Sequence, residues 1–247
     1  MSDTRVLVSP YIVGAVNVAL MTPPVGGLTL QLQLDASVSG SVATTGGPPN
    51  NVNTWTDQTI NNWVFSFINQ RPTYPGTTQN GHNTMSFPAS TFAALQCTTF
   101  AQTQPFVIFA VVNMGSTGAL LDSSNTSNVI SSFIQGGAIN GQMTWDTGAG
   151  GATSATNFLS PVAWYVIALQ TGPDTIFTNS GASADGTTGA SGSNHYVSGS
   201  GMQIAMTGSS TFNLQPLLIG ELRLYSGTPN AGDVSTIISQ LRTKWGI

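Results

Sequence analysis

The chain has 247 residues, of which 40% are hydrophobic and only 6% charged, with a formal net charge of -4. A soluble protein carries about 25% charged residues, so this one must cover its surface with Ser, Thr, Asn, Gln and Gly, a composition suited to strands and turns rather than to helices. A single lysine (Lys244) and four arginines form no basic stripe, which argues against binding a nucleic-acid backbone, and the lone Cys97 excludes an intrachain disulfide.

Residues 1–27 differ from the rest of the chain. Ser9-Pro10, an apolar stretch from Tyr11 to Met21 and the run Thr22-Pro-Pro-Val-Gly-Gly27 mark a boundary. The expected organisation is an N-terminal arm, 1–27, ahead of one domain, 28–247, since all-β units often reach this size. The arm has two uses, as an edge strand on its own domain or as a strip lying on a neighbouring subunit. Tyr11, Ile12, Val13, Val16, Val18 and Leu20 are its candidate docking residues. Gly14 and Asn17 interrupt the stretch, so it makes a poor secretory leader, and no run reaches the roughly 18 apolar residues of a membrane span. The expectation is a chain made in a cytoplasm, with no membrane partner.

From Leu28 to Asp35, Leu alternates with Thr or Gln, which predicts a half-buried strand with Leu28, Leu30, Leu32 and Leu34 on one face and a wet opposite face. Further strands are predicted over 63–68, 105–113, 129–135, 142–146, 162–170, 175–178, 202–206 and 215–225, separated by Gly, Ser, Thr and Asn clusters. The run Phe106-Val-Ile-Phe-Ala-Val-Val112 is apolar at every position and predicts a central strand covered on both faces. Residues 180–201 are so poor in apolar groups that they predict an exposed loop. Cys97 follows Ala94-Leu95-Gln96 and reads as a buried, inert thiol.

One helix stands out at the C-terminal end. Val234, Ile237, Ile238, Leu241 and Trp245 fall on a single helical face. Asn230 is placed to cap its start with Asp233 three positions on, and Arg242 and Lys244 lie where the dipole favours cations.

Four stretches in order, Leu32-Gln-Leu-Asp-Ala-Ser37, Trp55-Thr-Asp57, Arg71-Pro-Thr-Tyr74 with Asn80-Gly81 and Met85-Ser-Phe87, and Ile219-Gly-Glu-Leu-Arg-Leu-Tyr225 with Lys244-Trp-Gly-Ile247, are similar to concanavalin A-like lectin/glucanase (laminin G-like) domains, and the N-terminal arm, the near absence of lysine and the Gly/Thr/Asn-rich surface are similar to the bacteriophage virion-protein type, capsid decoration proteins especially. The resemblance runs from about Leu28 to the end. It implies an all-β fold, an antiparallel jelly-roll β-sandwich with the C-terminal amphipathic helix against one edge or end. It implies little about activity, because such folds host sugar binders, hydrolases and inert modules alike.

The residues themselves argue against catalysis. A retaining glycosidase needs two carboxyl groups about 5–5.5 Å apart, and Glu221 is the only glutamate, placed two positions before Arg223 as a partnered structural carboxylate. No Gly-x-Ser-x-Gly elbow occurs, and His82, His195 and Cys97 are too scattered for zinc. No cofactor is expected. Calcium remains an option at Asp122-Ser-Ser-Asn125 and Asp185-Gly-Thr, against the plainer reading of Asx turns.

Sugar binding needs an aromatic platform and hydrogen-bonding side chains, for which Trp145 with Asp146, and Asn194-His195-Tyr196, are the candidates. The competing reading of Asp146, ahead of Thr-Gly, is a turn cap. Trp164, Tyr165 and Trp245 read as core. The expected function is a non-enzymatic phage virion structural protein decorating a capsid, docked by its arm on capsid or other virion proteins and homo-oligomeric on the virion surface. The alternative is a glycan-binding receptor-recognition module of a phage tail or cell-surface protein.

Overall fold

The structure is a computed structural model that describes residues 26–47, 50–89, 93–114, 118–123, 130–135, 142–148, 151–154, 163–179, 181, 183–187, 192–206 and 217–247. The docking candidates Tyr11, Ile12, Val13, Val16, Val18 and Leu20 lie outside these residues.

Among the described residues the chain is antiparallel β-sheet with one α-helix, Ala231–Trp245, and one 3-10 turn, Ser39–Ser41. One layer orders the strands Gly186–Thr187, Thr175–Thr178, Tyr165–Gln170, Phe106–Met114, Leu217–Ser226 and Thr29–Asp35. The other runs from Met85–Phe87 through Thr73–Tyr74, Asn50–Thr56, Val64–Asn69, Ala93–Cys97, Met202–Ile204, Gly118–Asp122, Ser131–Gln135 and Gln142–Asp146 to Ala152–Thr153. The strand Leu217–Ser226 serves both layers. Its start pairs with Met85–Phe87 and its remainder with Thr29–Asp35, and a bulge at Gly220 separates the two.

Two cores result. The larger lies between the layers and includes Trp55, Phe65, Leu95, Ile204 and Trp145, facing Ile108, Ala110, Leu222 and Leu224. The smaller lies outside, where the helix covers Val107, Phe109, Val111, Val166 and Tyr225. The strand Phe106–Met114 is therefore covered on both faces, as its unbroken apolar run predicts: Phe106, Ile108, Ala110 and Val112 point into the first core, and Val107, Phe109 and Val111 into the second. Cys97 is buried on its strand.

The alternation of Leu28 to Leu34 does not keep one face. A bulge at Gln31, between the pairs Leu30 with Tyr225 and Leu32 with Leu224, shifts the register by one residue and so flips the side chains beyond it. Leu28 and Leu30 pack under the helix, whereas Leu32 and Leu34 enter the inter-sheet core. The face predicted to be wet is covered beyond the bulge, where Gln33 and Asp35 are buried. The 180–201 segment is not all surface loop either, because Gly186–Thr187 joins a sheet and Tyr196 is buried.

The helix forms as its sequence predicts. Asn230 Oδ1 accepts from the Asp233 amide at 2.9 Å while the Asp233 carboxylate accepts from the Asn230 amide at 3.0 Å, a reciprocal capping box. Val234, Ile237, Ile238, Leu241 and Trp245 are buried, and burial of such side chains is worth roughly 1.5–3 kcal/mol each. The far end is held by a tight hairpin, Thr78–Gln79 with His82–Asn83, whose turn Asn80-Gly81 has positive φ at both residues. From it Asn80 Nδ2 donates to the Lys244 carbonyl and Gln79 Nε2 to the Trp245 carbonyl, both at 2.9 Å, which satisfies carbonyls that a helix end leaves open.

Candidate functional site

Two constellations of polar side chains emerge, and the sequence stretches that carry the family resemblance build the first. Glu221 points from the strand Leu217–Ser226 toward the helix, where Oε1 accepts from Arg223 Nε at 2.6 Å and Gln33 Nε2 at 3.0 Å. Its Oε2 accepts from Lys244 Nζ at 2.8 Å and Trp245 Nε1 at 3.0 Å. Lys244 also donates to Asp35 Oδ2, and Asp35 Oδ1 accepts from the Ser37 amide and hydroxyl. Burial opposes ionisation of Glu221, but the Arg223 and Lys244 charges, with the Lys244 and Trp245 hydrogen bonds, outweigh it and hold the carboxyl below the usual carboxylate range.

Glycine makes the site possible. A Cβ on Gly220 would lie 2.9 Å from the Trp245 ring, so the bulge seats the indole directly on the backbone. Trp164 stacks on the same ring at 6.4 Å and His82 approaches it at 5.2 Å. Asp57 anchors the neighbouring loop by accepting from the Gln33 amide at 2.7 Å and the Thr59 amide at 3.0 Å. This constellation joins the first strand, the last strand and the helix, and its donors and acceptors are directed at one another.

The second constellation brings together the sequence candidates for sugar binding. The turn after Gln142–Asp146 and the segment 192–196 are far apart in sequence yet adjacent: the Asn194 amide donates to the Thr147 carbonyl at 3.1 Å, and Gln104 Nε2 donates to the Asn194 carbonyl at 2.6 Å. Gly192 permits this approach, since a Cβ there would lie 2.0 Å from the Thr147 carbonyl oxygen. Tyr196 and Gln102 exchange backbone hydrogen bonds at 3.1 and 2.9 Å.

The candidates divide by burial. Trp145 is 0% and Tyr196 1% exposed, so neither ring offers a stacking face, a correction to their expected role. Both rings flank Phe106, with centroids at 6.4 and 5.9 Å, and Trp145 Nε1 donates to the Gln170 carbonyl at 2.8 Å. The strand's alternation turns Trp145 inward and leaves Asp146 half-buried on the rim. Asp146 accepts from the Gly148 amide at 2.6 Å, as the turn-cap reading has it. Asn194 and His195 are half-buried as well. His195 borders an open depression with Ala101, Gln102, Thr103, Tyr196, Val197 and Ser198.

Behind the rim, Thr147 and Asp174 are both fully buried and bonded to each other, a contact the sequence did not announce. Asp174 accepts from the Thr147 amide at 2.9 Å and its hydroxyl at 2.6 Å, and burial, against those bonds, raises its carboxyl above the ordinary aspartate value. The glycines at 148 and 192 were the available signal that two backbones meet here. Of the calcium candidates, Asp185 accepts from Thr178, and Asp122 accepts from the Ser123 amide, with Ser124 and Asn125 outside the described residues. Among the described residues no three His, Cys, Asp or Glu side chains group as metal ligands.

The chain matches no family model and no curated protein. Solved structures do match its fold. A GH54 α-L-arabinofuranosidase soaked with 4-nitrophenyl α-L-arabinofuranoside aligns with a TM-score of 0.59 at 11% identity, over 88% of this chain and 60% of that one. A structure of botulinum neurotoxin type C, whose cell entry depends on interaction with two ganglioside molecules, aligns at 0.55 and 12%, over 86% and 51%. A Trypanosoma rangeli sialidase mutant displaying trans-sialidase activity aligns at 0.53 and 12%, over 87% and 33%. This chain thus spans one third to three fifths of those chains. The likeness is one of fold, a β-sandwich consistent with the concanavalin A-like architecture that the sequence motifs resemble.

Proposed function

We propose that the chain is a non-catalytic, lectin-like module that contacts a neutral glycan at the rim built by 101–104, 146–148 and 192–198. The observation that carries this reading is the meeting of the turn that carries Asp146 with the segment, remote in sequence, that carries Asn194 and His195, the last of which borders an open depression. A carboxylate, an amide and an imidazole are groups that hydrogen-bond hydroxyls, and a chain with 6% charged residues has little to offer a strongly anionic ligand. The likeness of fold to a neurotoxin that interacts with gangliosides and to an arabinofuranosidase supports the reading. The absence of catalysis is supported by the engagement of Glu221 with four donors beneath the helix.

Binding of the full chain to a broad array of neutral glycans tests this, followed by titration of the best ligand against His195→Ala and Asp146→Ala. The expected result is at least a roughly tenfold loss of affinity, with an unchanged melting temperature in His195→Ala. Silence across the array rejects glycan recognition, and polysaccharide hydrolysis that survives purification and disappears in Asp146→Ala rejects the absence of catalysis.

The second reading places this module on a phage particle as a capsid decoration protein, homo-oligomeric on the virion surface and attached to capsid or other virion proteins through residues 1–27. Gly26, the first described residue, lies against the Asp233 side chain, so the arm joins the sandwich beside the helix N-terminus, away from the Asn80 end. Deletion of 1–27 is expected to abolish co-purification with assembled particles while a folded sandwich remains. Unchanged attachment rejects the role of the arm.

A further inference from the structure

The only ε-amine of the chain is part-buried, its side chain 26% exposed. Lys244 Nζ contacts two carboxylates at once, Asp35 Oδ2 and Glu221 Oε2, and the two acid side chains are 3% and 0% exposed. The Trp245 indole adjoins the amine, with Nζ 5.2 Å from the ring centre, and Trp164 stacks on the same ring. Amine, carboxyl and a second carboxylate bonded to the same nitrogen are the groups that direct condensation requires.

We propose that Lys244 and Asp35 form an intramolecular isopeptide bond, with Glu221 relaying the protons, so that the first strand is covalently joined to the last helix.

The step balances without an outside reagent. The Lys244 ammonium gives one proton to Glu221 Oε2, and the neutral Nζ attacks Asp35 Cγ, whose carbonyl pair moves onto oxygen. A second proton leaves Nζ, the relayed proton and this one reach the departing oxygen, the C–O bond breaks and water leaves. One ammonium and one carboxylate become one amide and one water, and Glu221 ends as it began.

Two features favour this outcome over a simple ion pair. The charges remain matched afterwards: Asp35 and Glu221 oppose Lys244 and Arg223 before condensation, and Glu221 opposes Arg223 after it, keeping its bonds from Arg223, Gln33 and Trp245. An arginine would serve an ion pair at least as well, with a fork matched to carboxylates, yet the chain uses its one lysine here, the residue whose amine can form an amide. The bond would close a loop between positions 209 residues apart, restricting the unfolded chain. That suits a module displayed on a surface and loaded through its ends.

Intact mass of the purified full chain tests the proposal. The expected mass is that of the sequence less one water, with a proteolytic fragment containing Asp35 linked to one containing Lys244. Lys244→Arg, which keeps the charge and the helix contact, and Glu221→Gln should each return the full sequence mass. A folded wild-type chain with the full mass after prolonged incubation overturns the proposal, as does a water loss mapped to a single peptide, such as cyclised Asp185-Gly186. The wild-type measurement alone decides, so a variant that fails to fold leaves the test intact.

Discussion

The one glutamate and the one lysine of this chain are bonded to each other, with Lys244 Nζ donating to Glu221 Oε2 at 2.8 Å beneath the C-terminal helix. Glu221 also pairs with Arg223, which is itself buried. A buried ion pair adds little net stability, but removing one partner leaves an uncompensated charge. Glu221→Ala is therefore expected to cost about 3–5 kcal/mol, read from urea unfolding followed by tryptophan fluorescence. A loss below about 1 kcal/mol would mean that water reaches the site.

The same carboxyl sets a pH dependence. Its folded pKa lies below the ordinary glutamate value of 4.5, so its contribution is fully present above that value and is lost as pH falls through it toward the depressed folded value. The unfolding midpoint of the wild type should fall on acidification below about pH 5, and that of Glu221→Gln should fall less steeply. Parallel slopes for the two proteins would assign the acid sensitivity elsewhere.

Gly220 is irreplaceable for a steric reason. Alanine there places a methyl carbon 2.9 Å from the Trp245 ring, which must shift together with the helix that carries it. Gly220→Ala should destabilise by about 1–3 kcal/mol and raise hydrogen exchange in the last helical turn. Wild-type protection of those amides would show that the ring moves without the helix.

The hairpin tip holds the helix end. Asn80→Ala removes the hydrogen bond to the Lys244 carbonyl and puts a residue poorly suited to positive φ into the turn. The expected cost is about 1–2 kcal/mol, whereas Asn80→Asp, which tolerates the backbone but brings a negative charge to the negative helix end, should recover only part of it. Thermal melts of the three proteins make the comparison.

Within the candidate binding rim, inward and outward residues should separate cleanly. Trp145→Ala empties a large core volume and should cost about 3–5 kcal/mol, while His195→Ala, half-buried at the depression, should leave the melting temperature within error and lower glycan affinity. A stable Trp145→Ala would contradict its position against Phe106.

Much of the architecture is legible in the chain. The strands at Gln142–Asp146 and Thr175–Thr178 coincide with their predicted spans, and the helix, its capping box and its buried face follow from spacing alone. Other strands were illegible. Asn50–Thr56, with three asparagines, holds Val52 and Trp55 in the core three positions apart, because a bulge at Asn53, facing Ala43 and Thr44, breaks the period of two. Ala93–Cys97 and Gly118–Asp122 are short and nearly all apolar, which leaves no alternation to read.

Local periodicity determined that Gln142–Asp146 and Thr175–Thr178 extend, that Ala231–Trp245 coils and that Phe106–Val112 is covered twice, because those outcomes depend on neighbours a few positions away. Tertiary structure alone decided the faces. One inserted residue at Gln31 sends Leu30 and Leu32 to different cores, and the helix laid across the sheet turns a face that looked solvated into the buried home of Gln33, Asp35, Glu221 and Arg223. It likewise decided that Thr147 and Asn194 meet while Trp145 and Tyr196 turn inward. Pairing register and layer stacking are set by contacts between residues far apart in the chain, and no window along it contains them.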